Sequence, residues 1–387
     1  MITQELEALM APLERFESIR RRVARLGDRL ADLSYANPYE GVRQAARGAL
    51  RDALDDERLL DLQYSPFGGQ TLARRAAADA LREGHELPFD FRDVVLTPGA
   101  MSALVVALRS SGRSGDEVVI PIPCWLDYPL YVRSLGLVPR LVPLAPAGFG
   151  LDLDAIAEAI GPRTCALLVS HPANPTGRNY GSGELNALGE VLEQAQAAHG
   201  CTLTLIADEA HRDFVEPGSY HSLAAYIDRV VIVYSFGKYH FMQGQRLGYA
   251  ATSPRHPERR DAADEMVRWT RIAGIATPTA LMQRVLPRLL ALHHDLNWIA
   301  SSRSWLVDRL RGIGYSVTEP DATLFAYVQT PARYEDDFAF AERLASSGVL
   351  VLPAPVFHHR GHFRLSLTAS ESMMVRAAEV LGEVAAG

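Results

Sequence analysis

DVVLTPGAMSALVVALRSSGRSGDEVVIPI, residues 93–122, reads as a strand, a glycine turn, a helix and a second strand. The outer runs are short, β-branched and apolar on both faces. The middle run carries apolar residues at helical spacing. Downstream the alternation repeats. LVPRLVPL (137–144), CALLVS (165–170), LTLIADE (203–209), VVIVYSFG (230–237) and RLGYAAT (246–252) read as strands. LDAIAEAI (153–160) and SGELNALGEVLEQAQAAHG (182–200) read as helices, the second starting at GSGE with Ser182 as N-cap. Strands apolar on both sides, alternating with helices, specify a mainly parallel sheet sandwiched by helices.

Towards the ends the pattern changes. Leu6, Met10, Leu13, Phe16, Ile19, Val23, Leu26 and Leu30 step by three and four, which predicts an amphipathic helix over 6–30, started or kinked near Pro12. LSYANPYEG (33–41) reads as a loop, and YSVTEP (315–320), LFAYVQT (324–330), VLVLPA (349–354) and FRLSLTA (363–369) as strands. The expectation is an α/β fold with a large domain over about 50–275 and a smaller α+β domain from both chain ends, 1–49 and 276–387.

Composition narrows the function. The chain has 387 residues, long enough for sizeable cores, and a formal charge of −7. That balance disfavours a general grip on nucleic acid or a polybasic membrane surface. Cys124, Cys165 and Cys201 are sparse, odd in number and without CxxC spacing, which suits a reducing, cytoplasmic setting. The N-terminus lacks a basic-then-apolar signal, and no run suits a membrane helix.

Ligands of a parallel sheet gather at the C-terminal ends of its strands. The polar residues there are Gly99-Ala100-Met101, Trp125, Asn174, Asp208 with His211, and Ser235 with Lys238; Arg246 precedes the next strand. Lys238 is a surface lysine or, in a dry site, a Schiff-base amine. Asp208 ends an apolar strand and needs a partner, either an arginine or a protonated ring nitrogen. Gly99 opens a helix whose free amides suit phosphate, although strand-to-helix turns use glycine anyway. Trp125 is a core residue or a stacking face. Arg246 has the fork to hold a phosphate.

Together these stretches resemble the class I/II aminotransferases, the aspartate aminotransferase-like enzymes of fold type I. HPANPTG (171–177), ADEAHRDF (207–214), SFGKYHFMQGQRLGY (235–249), YSPFGGQTLARRAAADAL (64–81) and HFRLSLT (362–368) match the family's segments in family order. The resemblance implies a seven-stranded central sheet and pyridoxal 5′-phosphate as cofactor. It implies that Lys238 carries the cofactor and shuttles a proton. Asp208 pairs with the pyridine nitrogen, Asn174 and His211 face the ring oxygen O3′, and Trp125 stacks. Gly99, Ala100, Met101, Ser235 and Arg246 hold the phosphate. Tyr64 reaches the phosphate of a neighbouring subunit in a homodimer, and Thr277 adds a weaker contact of the same kind. Arg364 clamps the substrate carboxylate, and the loop at Tyr35, Ala36 and Asn37 closes over it. The implied reaction is transfer of an amino group from a free α-amino acid to a 2-oxo acid.

His211 stands where the family has tyrosine, Ala36 where it often has glycine, and Ala354 where it has glycine. These changes keep open a lyase, cyclase or oxidase on a specialised amino acid. A binding module without catalysis is the remaining alternative. No metal is expected: His358-His359-Arg360-Gly361-His362 lacks an acid or cysteine at ligand spacing and reads as surface, as do His293 and His294 in a helical stretch. Glu209 beside Asp208 should face the other side of the sheet, so the two make no catalytic carboxylate pair. Arg268 and Arg271 are loose candidates for a distal-carboxylate site.

Overall fold

The protein is described here as a computed structural model covering residues 2–38, 44–55 and 62–386. The helices are α1 (Gln4–Val23), α2 (Gln44–Asp55), α3 (Thr71–His85), α4 (Ala100–Ser111), α5 (Tyr128–Ser134), α6 (Leu153–Ala159) and α7 (Ser182–His199). They continue with α8 (Phe236–Tyr239), α9 (Arg259–Ile272), α10 (Ala280–Leu290), α11 (Asn297–Gly312), α12 (Asp337–Ser346) and α13 (Glu371–Ala386). The strands are β1 (Ala31–Asp32), β2 (Val94–Thr97), β3 (Glu117–Ile122), β4 (Val138–Pro143), β5 (Thr164–Ser170) and β6 (Thr204–Asp208). After them come β7 (Val230–Ser235), β8 (Gly248–Thr252), β9 (Phe325–Gln329), β10 (Val349–Leu350), β11 (Leu352–Pro353) and β12 (His362–Ser366).

Seven strands form the central sheet in the order β2-β8-β7-β6-β5-β3-β4. All pairings are parallel except those of β8, which runs against both β2 and β7. Side-chain alternation covers both faces. On β7, Val230, Ile232 and Tyr234 join one apolar cluster, while Val231 and Val233 join the other with α4 and α9 residues such as Leu104 and Met266. Each such buried aliphatic side chain contributes about 1.5–3 kcal/mol. This is the mainly parallel, helix-covered α/β sheet expected from the sequence.

A separate three-stranded antiparallel sheet, β11-β12-β9, packs with α11, α12 and α13 around Phe325, Phe340, Phe363 and Leu381. Ala31, Leu33 and Ala36 from the N-terminal segment join this cluster, and β1 pairs with β10. Helices α1 and α10, by contrast, place Phe16, Ile19, Val285 and Leu286 in a cluster with the central sheet.

Several local expectations change. Helix α1 starts at Gln4 behind the Thr3 cap, encloses Pro12 and ends at Val23; a 3₁₀ turn follows, broken where Gly27 adopts φ +52°. YSVTEP makes only the isolated bridge Val317–Val328, since Pro320 lacks a backbone donor. VLVLPA divides between two sheets as β10 and β11. Gly181, not Ser182, caps α7, and no side chain joins it. His293 and His294 lie between α10 and α11, and His294 sits 2.9 Å from the buried His240 ring. His358, His359 and His362 are half-buried: His362 stacks on Tyr327 and His359 meets its hydroxyl at 3.0 Å.

Candidate active site

A cavity of about 150 Å³ opens at the strand ends β5, β6 and β7. Nine of the anticipated residues line it: Ala100, Met101, Trp125, Asn174, Asp208, His211, Ser235, Lys238 and Arg246. Topology explains the convergence. Asp208 ends β6, Ser235 ends β7, and Lys238 lies in the single turn α8 that follows. Because β8 is antiparallel, the chain entering it arrives at this same edge, and Ser235 lies opposite Gly248. Arg246 therefore reaches the start of α4.

There the fit is close. Gly99 caps α4 with φ +88°, and a Cβ on it would lie 2.6 Å from the Arg246 guanidinium. Gly248 is equally confined, because its Cβ would come within 2.7 Å of Gly99 Cα. Glycine at both positions lets a guanidinium, a serine hydroxyl and free helix amides share one anion-sized corner.

Asp208 is buried, and burial raises its pKa; the Tyr128 hydroxyl at 2.6 Å and the Ala210 amide at 3.0 Å oppose that by donating to its oxygens. Lys238 is desolvated and faces the positive charges of Arg364 and Arg246, which outweigh Asp208 and bring its pKa down to about 8. A neutral, nucleophilic amine is thus accessible near physiological pH. His211 is pushed well below its ordinary value by burial, then by Lys238 and Arg364, so it is an uncharged ring. Its Nδ1 has no protein partner, and the ring meets Phe325 edge-on at 5.4 Å.

Arg364, on β12, donates to Asn174 Oδ1 at 2.8 Å and to the Ser34 carbonyl at 2.8 Å. Its guanidinium lies 3.7 Å from the Phe325 ring centroid and 4.8 Å from that of Phe357. Burial lowers its pKa to about 9. Among the described residues it has no carboxylate partner, and a buried cation of that kind is primed to accept one. The N-terminal loop is tied down beside it: Ala36 accepts from Gln243 Nε2 at 2.7 Å, and Tyr35 donates to Glu17 at 2.8 Å. Residues 39–41 of that loop lie outside the described residues.

Other expectations separate from the cavity. Tyr64 is fully exposed and does not line it. Arg268 pairs with Glu265, and Arg271 covers the Phe67 ring. Glu209 faces the opposite side of the sheet, where His85 (2.7 Å), Ser222 (2.7 Å) and Arg212 (3.2 Å) surround it. Tyr128, Gln243 and Ser170 escaped the sequence reading. Tyr128 alone had an available signal, three residues after Trp125 at the start of a helix.

The family model for aminotransferase class I and II matches residues 31–381. The chain belongs to this family. It is 28% identical over 355 residues to the aspartate/prephenate aminotransferase of Thermus thermophilus, covering 89% of this chain and 87% of that one. It is 24% identical over 343 residues to a probable aspartate aminotransferase of Methanocaldococcus jannaschii, covering 87% and 88%. Among solved structures, a Thermus thermophilus aspartate aminotransferase variant superposes with a TM-score of 0.85 at 26% identity, covering 96% of each chain. An aminotransferase from Eubacterium rectale gives 0.89 at 24% identity, covering 99% and 98%, which bears on the fold alone.

This class I/II enzyme is a pyridoxal-phosphate-dependent aminotransferase acting on amino and oxo acids. The residues present suit that cofactor: an anion corner that a Cβ at Gly99 would fill, an indole wall, a buried carboxylate and an amine of low pKa in one cavity. Among the described residues no helix is long and apolar enough to cross a membrane.

Proposed function

We propose that Lys238 is the residue that carries the cofactor and moves the substrate α-proton, with the following division of labour around it. Bound pyridoxal phosphate supplies an electron sink that acidifies the substrate α-carbon. Asp208, whose oxygens accept from Tyr128 and Ala210, holds a proton on the ring nitrogen. Trp125 flanks the ring. The amides of Ala100 and Met101 after the Gly99 turn, with Ser235 and Arg246, hold the phosphate, while Asn174 and His211 serve the O3′ side. Arg364 orients the substrate by its carboxylate, a two-point pairing that sets the α-proton toward Lys238. Tyr35 and Ala36 form the substrate-side loop.

The carrying observation is the low-pKa amine of Lys238 sharing one cavity with Asp208 and the Gly99–Arg246 corner. Purified protein with the cofactor should show a visible absorbance band that Lys238→Ala abolishes, and an amino donor should convert the cofactor to its amine form. A protein that binds the cofactor but makes no amine form with any donor is instead a lyase, cyclase or oxidase, the reading motivated by His211 in place of the family's tyrosine.

The same proposal extends to a homodimer. Leu62, Tyr64, Phe67, Leu72 and Ile272 are exposed, and exposed Met101 also lines the cavity. Such a surface suits a second copy that brings its Tyr64 to this phosphate corner. Light scattering should give twice the chain mass of 42.5 kDa. We assign the cofactor-holding domain to 50–275 and the smaller domain to 1–49 and 276–387, with α1, the start of α2 and α10 of the latter segments packing on the central sheet. A cytoplasmic location fits three cysteines that are all free.

A further inference from the structure

Phe241 stands three residues after Lys238, and its amide donates to the Lys238 carbonyl at 3.1 Å. Its backbone has φ +52°, a conformation that costs a bulky residue and that glycine adopts freely. Such strain at a site points to a use for the side chain. The ring is buried and fixed on two sides. It meets Phe214 edge-on at 6.1 Å, and Phe214 meets the cavity residue His211 at 6.2 Å. On its other side Phe241 contacts Trp298 at 5.5 Å.

Beyond Phe241 lies a groove of about 540 Å³, walled by Pro38, Phe241, Trp298, Trp305 and Met374. The N-terminal loop joins the groove to the site. Its Ser34 carbonyl holds Arg364, its Ala36 carbonyl holds the cavity residue Gln243, and Pro38 lines the groove. A substrate anchored at Arg364 therefore has its α-carbon beside this loop. Among the described residues lining the groove, the one ionisable side chain is the acid Glu371. The cations lining the catalytic cavity are Lys238 and Arg246, both committed to the cofactor. Among the described residues of this chain, neither lining adds a further positive charge for a second carboxylate.

We propose that the groove between Pro38, Phe241 and Trp298 receives an apolar, preferably aromatic, side chain of the donor amino acid, with Phe241 as the specificity-determining residue. The proposal rests on Arg364 holding the substrate carboxylate. It separates this chain's preference from the aspartate named for its relatives.

Donor specificity of the holoenzyme tests it. Phenylalanine and leucine should exceed aspartate in kcat/KM by at least about tenfold. Phe241→Ala should lower the ratio of phenylalanine to alanine turnover about tenfold, mainly through KM for phenylalanine, and Phe241→Leu should restore part of it. Phe241→Gly relieves the backbone strain and should fold while showing the same loss. Binding of 3-phenylpropionate, which has a carboxylate and a ring but no amine, should perturb tryptophan fluorescence in the wild type, with a smaller effect in Trp298→Phe. A preference for aspartate overturns the proposal, as does an equal loss for alanine and phenylalanine in Phe241→Ala. If no donor yields the amine form, the aminotransferase reading fails instead. The 3-phenylpropionate titration then decides alone: binding sensitive to Phe241 supports the groove, and no binding overturns it.

Discussion

Tyr128→Phe removes one oxygen from the site and leaves the ring that packs against Trp125 at 5.6 Å. The lost hydroxyl is one of two donors that oppose the effect of burial on Asp208, at 2.6 Å from Oδ2. A hydrogen bond to a charged group contributes about 1.5–3 kcal/mol. Without that donor, burial should raise Asp208 further. A carboxyl that keeps its proton cannot form an ion pair with a protonated ring nitrogen. The variant should therefore bind pyridoxal phosphate about 10–100-fold more weakly at pH 6, from the same 1.5–3 kcal/mol. The deficit should narrow as pH rises and Asp208 ionises in both proteins. Quenching of tryptophan fluorescence during titration of the apoenzyme measures the ratio. A ratio under about twofold at every pH, on the same scale, would refute the role given to Tyr128. So would a deficit that grows with pH.

Gly99→Ala forces φ +88° on a residue with a Cβ and pushes the Arg246 guanidinium aside. The strain costs about 1–3 kcal/mol, and affinity for the phosphorylated cofactor should fall at least about tenfold by the same titration. Unchanged affinity would show that the corner does not hold the phosphate. The Lys238 amine should become reactive with a half-maximum near pH 8, read as borohydride trapping of a small aldehyde on the apoenzyme. Asp208→Asn should move that midpoint lower, because Asp208 favours the charged lysine; a wild-type midpoint near the ordinary 10.5 refutes this. Burial raises Glu209, but His85, Arg212 and Ser222 outweigh it and hold its pKa at about 2. Its stabilisation is complete above the ordinary carboxylate value of 4.5 and is lost as pH falls towards 2. Glu209→Gln should destabilise the protein by about 3–5 kcal/mol at neutral pH, with the gap closing across that acid window in circular-dichroism unfolding. A gap of equal size at both ends would refute the assignment.

The central sheet was readable because both faces of most strands are buried, so β2, β3 and β5 to β7 appear as apolar runs, whereas the edge strand β4 exposes Arg140 and Leu141. The reversed direction of β8 leaves no trace in RLGYAAT, since strand direction is set by connection and pairing. The C-terminal strands were harder. Both VLVLPA and YSVTEP have strand composition, but only their pairing partners decide whether such a run divides between sheets or keeps a single bridge. At the site, residues placed at strand ends were legible, whereas Tyr128 and Gln243 act through geometry that spacing alone does not encode. The histidines of 358–362 misled because nothing local announces that Tyr327 will pack among them.

Arg364 and the Ser34 carbonyl it grips are 330 positions apart in the chain. At about 5–20 residues per second, a ribosome takes from roughly a quarter of a minute to a minute to make the second after the first. For most of that interval Ala31 and Asp32 wait for their strand partners Val349 and Leu350, while Ala36 can already meet Gln243. With Arg364 as the proposed carboxylate clamp, substrate recognition is among the last properties to appear during biosynthesis. Truncated or stalled chains can complete the cofactor cleft yet lack the clamp, and helpers that shield a waiting N-terminus should raise the yield of competent molecules.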